Sequence, residues 1–387
     1  MRISLVLLGL SLFTTAVWAD FDAEVGLESR YFFEEGLNEQ NKFHGSLKGE
    51  LTYQYSSGSS DFEVIAFARY DEQDSERSHA DLREASWTYV GNNWELKTGV
   101  SKVFWGVTES RHLVDVINQT DAVENLDGED KLGQPMTKLS LEQSWGTVDL
   151  FWLPYFRERT FGGEDGRLSL PFVVDTDEAV YGSSAERWHS DFAVRYSHYI
   201  GDLDFAISHF SGTSRDPVLS LNSEFKFVPG YYTVDQTGLE LQYIIEEWLL
   251  KFEGITNSGL QKRYSAAVLG FEYTQVGVFE TSADLGWLVE YLYDDRKKSA
   301  PHSFEQDVFV GWRYAFNDAD SSEILAGMIY DPATEEMIYS LEANKRIASD
   351  LKLNIEARVF DGGEAFDAKT VIFQDEDYIQ LEIVKYF

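Results

Sequence analysis

The sequence predicts an all-β chain, folded as a transmembrane, antiparallel up-and-down β-barrel of about 18 strands, with about 16 as the alternative count. Three observations predict it. Apolar residues recur at every second position through most of the chain, connectors alternate between short turns and long loops, and the last strand ends on an aromatic residue, Phe387.

The elements follow in order. Met1-Arg2 is a short basic start, Ile3 to Phe13 is almost wholly apolar, and Val17-Trp18-Ala19 offers a cleavage site before Asp20. This reads as a secretory signal peptide over 1–19, leaving 20–387 as one barrel domain. From Phe21 the odd positions Ala23, Val25, Leu27 and Tyr31 alternate with Asp22, Glu24, Glu28 and Arg30. One face is greasy and the other wet, the period of a strand. Candidate strands fall near 21–33, 41–55, 61–71, 80–90, 94–101, 136–145, 147–156, 188–200 and 203–211. They continue near 231–245, 248–256, 264–274, 280–293, 304–316, 323–330, 337–347, 351–360 and 377–387. The count is even, as bacterial outer-membrane barrels require, and every long connector then falls at the same end. A soluble β-sandwich or β-helix would use the same alternation with its apolar face inward, but it has no need of that parity.

Composition fits the same picture. A formal charge of -35, with 67 acids against 32 bases, is unsuited to nucleic acid, whose phosphates need an excess of Lys and Arg. With 27 Phe, 21 Tyr and 10 Trp the chain has far more apolar surface to bury than a disordered acidic chain. There is no cysteine, so thiol chemistry and disulfides are excluded. After the signal no stretch approaches the roughly 18 apolar residues of a membrane helix. On the wet faces acids such as Glu24, Glu28, Glu240, Glu253, Glu290 and Glu356 are interleaved with Arg30, Arg69, Arg195 and Arg313. That mixture makes cross-strand ion pairs, and its acidic excess favours cations or neutral polar solutes in a water-filled lumen.

The final strand, in which Ile379, Leu381 and Ile383 alternate with Gln380, Glu382 and Val384 before Phe387, resembles the terminal strand of Gram-negative outer-membrane proteins. That resemblance implies the barrel-assembly machinery as a partner through Phe387, and a cell outer-membrane location in contact with lipid and lipopolysaccharide. Lys385 stands where that family usually has an aromatic or apolar residue. The segment from Gly99 to Gly106, containing Trp105-Gly106 and followed by Asn118 and Asp121, resembles large porin-like barrels, including the alginate-export-type porins. Those carry a Gly-Arg-Gln-like strand end, a Trp-Gly pair and an Asn-Pro-x-Asp turn. Here Ser101-Lys102 and Gln119 depart from the pattern. The resemblance implies the porin class but not the substrate, since a pore for polyuronates would be basic.

The long loop 102–135 is the segment expected to set selectivity, either folded into the lumen or anchored to the wall by Trp105. Its candidate constriction residues are Trp105, Arg111, Asp115, Asn118, Asp121 and Glu124, with His112 in the same loop and the wall residues Arg30, Arg69, Arg195 and Arg313. Asp127, Glu129 and Asp130 have the hard oxygen donors that calcium prefers, without the spacing of an EF-hand loop. No other cofactor is expected.

Function therefore divides among three readings. The first is a channel passing small polar or cationic solutes. The second is a non-transporting barrel that displays adhesive or scaffold loops. The third, a barrel hydrolase, lacks support: there is no Gly-x-Ser-x-Gly or His-Glu-x-x-His motif, and His189 with Asp191 is ordinary strand polarity. The chain is expected not to be an enzyme.

Overall fold

The computed structural model describes residues 18–36, 39–260, 262–302, 304–362, 373 and 375–387. The signal-peptide assignment falls almost wholly outside the described residues; its last two, Trp18 and Ala19, already belong to the first strand.

In chain order the strands are β1 (Trp18–Phe32), β2 (Phe43–Ser57), β3 (Ser60–Asp71), β4 (Ala80–Val90), β5 (Trp94–Ser101), β6 (Gln134–Gln143) and β7 (Gly146–Leu153). Then come β8 (Val180–Tyr181), β9 (Asp191–Ile200), β10 (Leu203–Thr213), β11 (Val218–Leu221), β12 (Phe227–Tyr231), β13 (Thr233–Ile245) and β14 (Trp248–Ser258). The remainder are β15 (Tyr264–Gln275), β16 (Asp284–Asp294), β17 (Gln306–Ala315), β18 (Glu323–Tyr330), β19 (Met337–Ala348), β20 (Leu351–Asp361) and β21 (Tyr378–Tyr386). β8, β11 and β12 make a small separate sheet. The rest form one 18-stranded antiparallel sheet, each strand paired with the next, and β21 closes on β1 from Glu24–Tyr386 to Phe32–Tyr378. Closure removes the free edges that an open sheet of this size would leave.

Each of the 18 strands expected from alternation is present, with ends displaced by a few residues. Connectors at one end are short: β2 and β3 are joined through Ser57–Ser60, and β6 and β7 through Gln143–Gly146. The long connectors all lie at the other end. The long loop is slightly shorter than expected, 102–133, because Gln134 and Pro135 already pair with Ser101 and Val100.

The outer wall is apolar. Phe21, Leu27, Leu47, Leu51, Ile207, Leu269, Leu381 and Ile383 are exposed on it, and facing a hydrocarbon phase is the arrangement that removes their cost. Aromatic pairs such as Tyr89–Trp94, Trp145–Tyr196 and Trp248–Tyr273 ring the short-turn end as an interfacial girdle.

The inner wall departs from simple alternation. Phe151, Phe210, Ile255, Val268, Leu288 and Phe309 point inward and are buried. They receive Trp105, Leu113, Val114, Val116 and Ile117 from the loop 102–133, hereafter the crossing loop. The largest buried apolar cluster therefore lies inside the barrel. Period two alone cannot reveal it, because a strand apolar on both faces still reads as a strand.

Candidate functional site

The crossing loop leaves the wall early because β5 has only 8 residues against 15 in β1 and β2. At Gly106 the backbone takes φ +144°, and a Cβ there would fall 2.8 Å from His112 Nδ1 and 3.0 Å from Glu253 Oε1. Glycine is thus required for the loop to approach a wall carboxylate this closely.

Two such carboxylates fasten its first half. Glu253 on β14 is fully buried; its Oε1 accepts hydrogen bonds from Val107 N (2.6 Å), Thr108 N (3.0 Å) and Thr108 Oγ1 (2.7 Å). Glu290 on β16 accepts from Glu109 N and Ser110 N, both at 2.8 Å, and from Ser110 Oγ. Wall acids that the sequence suggested as free lumen charge are here consumed as acceptors for loop amides.

The second half is held by a basic cluster. Arg69 on β3 makes a bidentate contact with Glu124, and also reaches Glu28 at 3.0 Å. Arg77 donates to the carbonyl of Val123 and binds Asp71 at 2.8 Å. A register shift between β3 and β4 turns the consecutive Arg83 and Glu84 both inward, as a β-bulge does. Arg83 then meets Asp121 at 2.6 Å, and Glu84 accepts from Lys102 N at 2.7 Å. Burial alone would raise the Asp121 carboxyl, but His79 and Arg83 outweigh it and hold the group down at about 2.

Each expected site residue can now be located. Trp105 is 3% exposed, edge-on to Phe151 at 5.6 Å, and serves as a wall anchor. Asn118 bridges the carbonyls of Ser101 and Leu132 and accepts from Val103 N. Asp115 has a buried side chain paired with Lys131 at 3.1 Å. With Asp121 and Glu124, these residues hold the loop and do not face open lumen. Arg111 lies 2.7 Å from His302 in another loop, and burial lowers its guanidinium despite Asp216 and Asp294. Arg30 stacks on Tyr378 and donates to Gln380, while Arg195 is bidentate with Glu240. Glu129 and Asp130 stand exposed on the loop, Glu129 beside His112 at 3.8 Å, while the Asp127 side chain is 22% exposed beside Arg358 at 3.4 Å. Among the described residues the trio with ligand atoms within 4.8 Å of one another is instead His79, Asp121 and Glu124, whose carboxylates already serve arginines.

Sequence reasoning named His112 in this loop but missed Glu109 and Phe104; Phe104 is exposed and meets the His112 ring edge-on at 4.7 Å. The loop spans the lumen like a chord. At one end Glu109 binds Arg313 on β17 at 2.8 Å; at the other Asn125 and Asp127 meet Glu356 and Arg358 on β20 at 3.2 and 3.4 Å. On its other side it is packed against β3, β4, β7, β13, β14 and β16 through the contacts above, including Gln236 on β13 to the Leu113 carbonyl. Among the described residues no hydrogen bond or ion pair joins the chord to the arc β18–β19, which leaves that stretch of wall as the candidate gap. Its wall residues Leu325, Gly327, Ser340 and Glu342 are half-buried, whereas Phe104 and Glu129 on the loop are exposed. The ring of inward-facing Phe309 occupies the space beside Gly311 and Gly327, where a Cβ would fall 2.8 and 2.4 Å from it.

No protein-family model matches the sequence, and no curated protein does. Solved structures match the fold. One is Wzi of Escherichia coli, an outer-membrane protein involved in group 1 capsule assembly and a carbohydrate-binding β-barrel; it is 11% identical, with a TM-score of 0.56 over 95% of this chain and 84% of that one. Another is a BenF-like porin from Pseudomonas fluorescens Pf-5, 9% identical, with a TM-score of 0.53 over 96% of this chain and 98% of that one. The chain thus has the fold of the porin-like outer-membrane barrels.

Proposed function

We propose that this barrel sits in the outer membrane and passes small polar or cationic solutes through the gap between the crossing loop and the β18–β19 arc. The observation that carries the reading is the loop's one-sided packing: it is fastened from β3 to β17 and again at β20, with a half-buried wall of mixed apolar and polar residues left between. Charge supports the solute class. Arg358 has Glu342, Glu356 and Asp127 around it, and Arg313 has Glu109 and Glu323, so each arginine is outnumbered by carboxylates. A narrow path with that excess favours cations.

Planar-bilayer recording on the purified barrel tests this. Conductance steps with a cation-selective reversal potential support the channel, and a heat-modifiable barrel without steps removes it.

A second reading, the non-transporting barrel, is favoured by Arg167. Its buried guanidinium shares the Nε hydrogen between both oxygens of Glu376 and donates from its other nitrogens to the carbonyls of Glu34, Asn41 and Asp375, tying three outer loops together. Such a knot also suits a barrel that presents a fixed outer surface. An enzymatic role has no comparable support.

Export by a cleaved signal and recognition of Phe387 by the assembly machinery belong to the same proposal. Phe387 N donates to Ala23 O on β1, at the seam where β21 closes the barrel. Deleting Phe387 should lower the yield of assembled barrel in membranes; undiminished assembly would remove that partner.

A further inference from the structure

We propose, resting on the channel reading, that the gap selects organic cations carrying a flat apolar face, with Phe104 as the platform and Glu129 as the counter-charge. Phe104 is 59% exposed although the adjacent Trp105 is 3% exposed in the cluster inside the barrel. Leaving a phenyl ring in water forgoes the gain of burying it. Slack does not account for the exposure. Val103 N donates to Asn118 Oδ1 at 2.8 Å and Trp105 N to Asp115 Oδ1 at 3.4 Å, so the backbone is pinned on both sides of the ring. The ring's attitude is also set, because His112 meets it at 4.7 Å and 82°.

Chemistry around the ring defines the ligand. An aromatic face attracts cations through its quadrupole and stacks on flat apolar groups. Glu129, whose side chain is 65% exposed, lies 3.8 Å from His112 and so flanks the platform. Asp130 is exposed beside it, so that Glu129 and Asp130 together outnumber the imidazole of His112, while Asp127, its side chain 22% exposed, is paired with Arg358. On the wall, half-buried Leu325 and Ile329 pack against the apolar cluster that also holds Trp105. The passage therefore has an exposed ring on the loop, partly open apolar side chains on the wall and surplus carboxylates at its edge. An inorganic cation uses only the carboxylates, and a neutral sugar only part of the apolar surface. A cation with an aromatic or flat aliphatic body uses both.

The test compares benzyltrimethylammonium with tetramethylammonium, which carry the same charge and differ in the ring. In bilayers the wild-type barrel should prefer the benzyl cation, read as the permeability ratio or as block of potassium current. Phe104→Ala should lower that preference by roughly fivefold, and Phe104→Trp should restore it. Equilibrium binding of the two probes to the detergent-solubilised barrel, read from broadening of their NMR lines, gives a second measure independent of conduction. A barrel that conducts but treats the two cations alike overturns this inference and leaves the channel standing. One that binds the benzyl cation through Phe104 without conducting overturns the channel and keeps the site. Neither conduction nor binding overturns both.

Discussion

The carboxylate of Glu253, on the barrel wall, accepts a 2.6 Å hydrogen bond from the backbone N–H of Val107, in the loop that crosses the lumen. A fully buried acid on a strand that reads as a plain alternating segment is thus the fastening point of a loop far away in sequence. Charge-assisted hydrogen bonds of this kind are about twice as strong as neutral ones, which explains how an irregular loop is held inside a wide barrel.

Glu253→Ala removes the acceptor for Val107, Thr108 and Val114 together. The first half of the crossing loop should loosen, at a cost of roughly 3 kcal/mol for stranding its buried donors. Hydrogen exchange should accelerate at Val107 and Thr108 while the wall strands stay protected. Unchanged protection there would mean that the apolar cluster alone holds the loop.

Asp121→Asn should destabilise the other half, because Arg83, with a side chain 5% exposed, loses its nearer carboxylate at 2.6 Å and keeps Asp81 at 3.3 Å. Losing a charged hydrogen-bond partner of this kind costs about 1.5–3 kcal/mol. The native group is held down at about 2, below the ordinary value, so its contribution is present above about pH 4 and fades as pH falls through 2. Thermal unfolding of both proteins across that range should show the gap closing in acid.

His112 gives the opposite sign. Burial pulls its imidazole down, but the carboxylates of Glu129 and Glu253 outweigh it and carry it to about 9. A group raised in the folded state contributes fully below its unfolded value of about 6.5 and is lost as pH rises through 9. Loop protection should therefore weaken between these pH values, and His112→Asn should flatten the change. A wild-type profile that is level from pH 6.5 to 9 would exclude His112 from the anchorage.

Selectivity separates exposed from buried acids. Glu129→Gln and Glu342→Gln should each reduce cation preference, read as a reversal potential moving toward zero. Asp115→Asn should move it less, because its side chain is 1% exposed and paired with Lys131. The reverse ranking would place the path elsewhere in the lumen.

Much of this molecule was legible in order of residues. Alternation located all the barrel strands, since a strand with one face toward lipid and the other toward water must repeat with period two. Glycine, tryptophan and acids between Gly99 and Asp130 marked the right loop, but not which members would be open. Trp105 and Asp121 proved to be anchors, while Phe104, beside the expected His112, was passed over. No local pattern distinguishes an aromatic ring against the wall from one in the passage.

What the sequence determined by itself is the wall: strand count, closure parity, an apolar outside and the end at which the long loops gather. These follow from local chemistry repeated along the chain. Tertiary structure alone decided the interior. Glu253 and Glu290 meet the loop amides, Arg83 is turned inward by a register shift, and the chord runs from Arg313 to Arg358. Those relations join residues that are distant in sequence. Each depends on how the closed sheet aims its side chains across the lumen, information that no single segment holds.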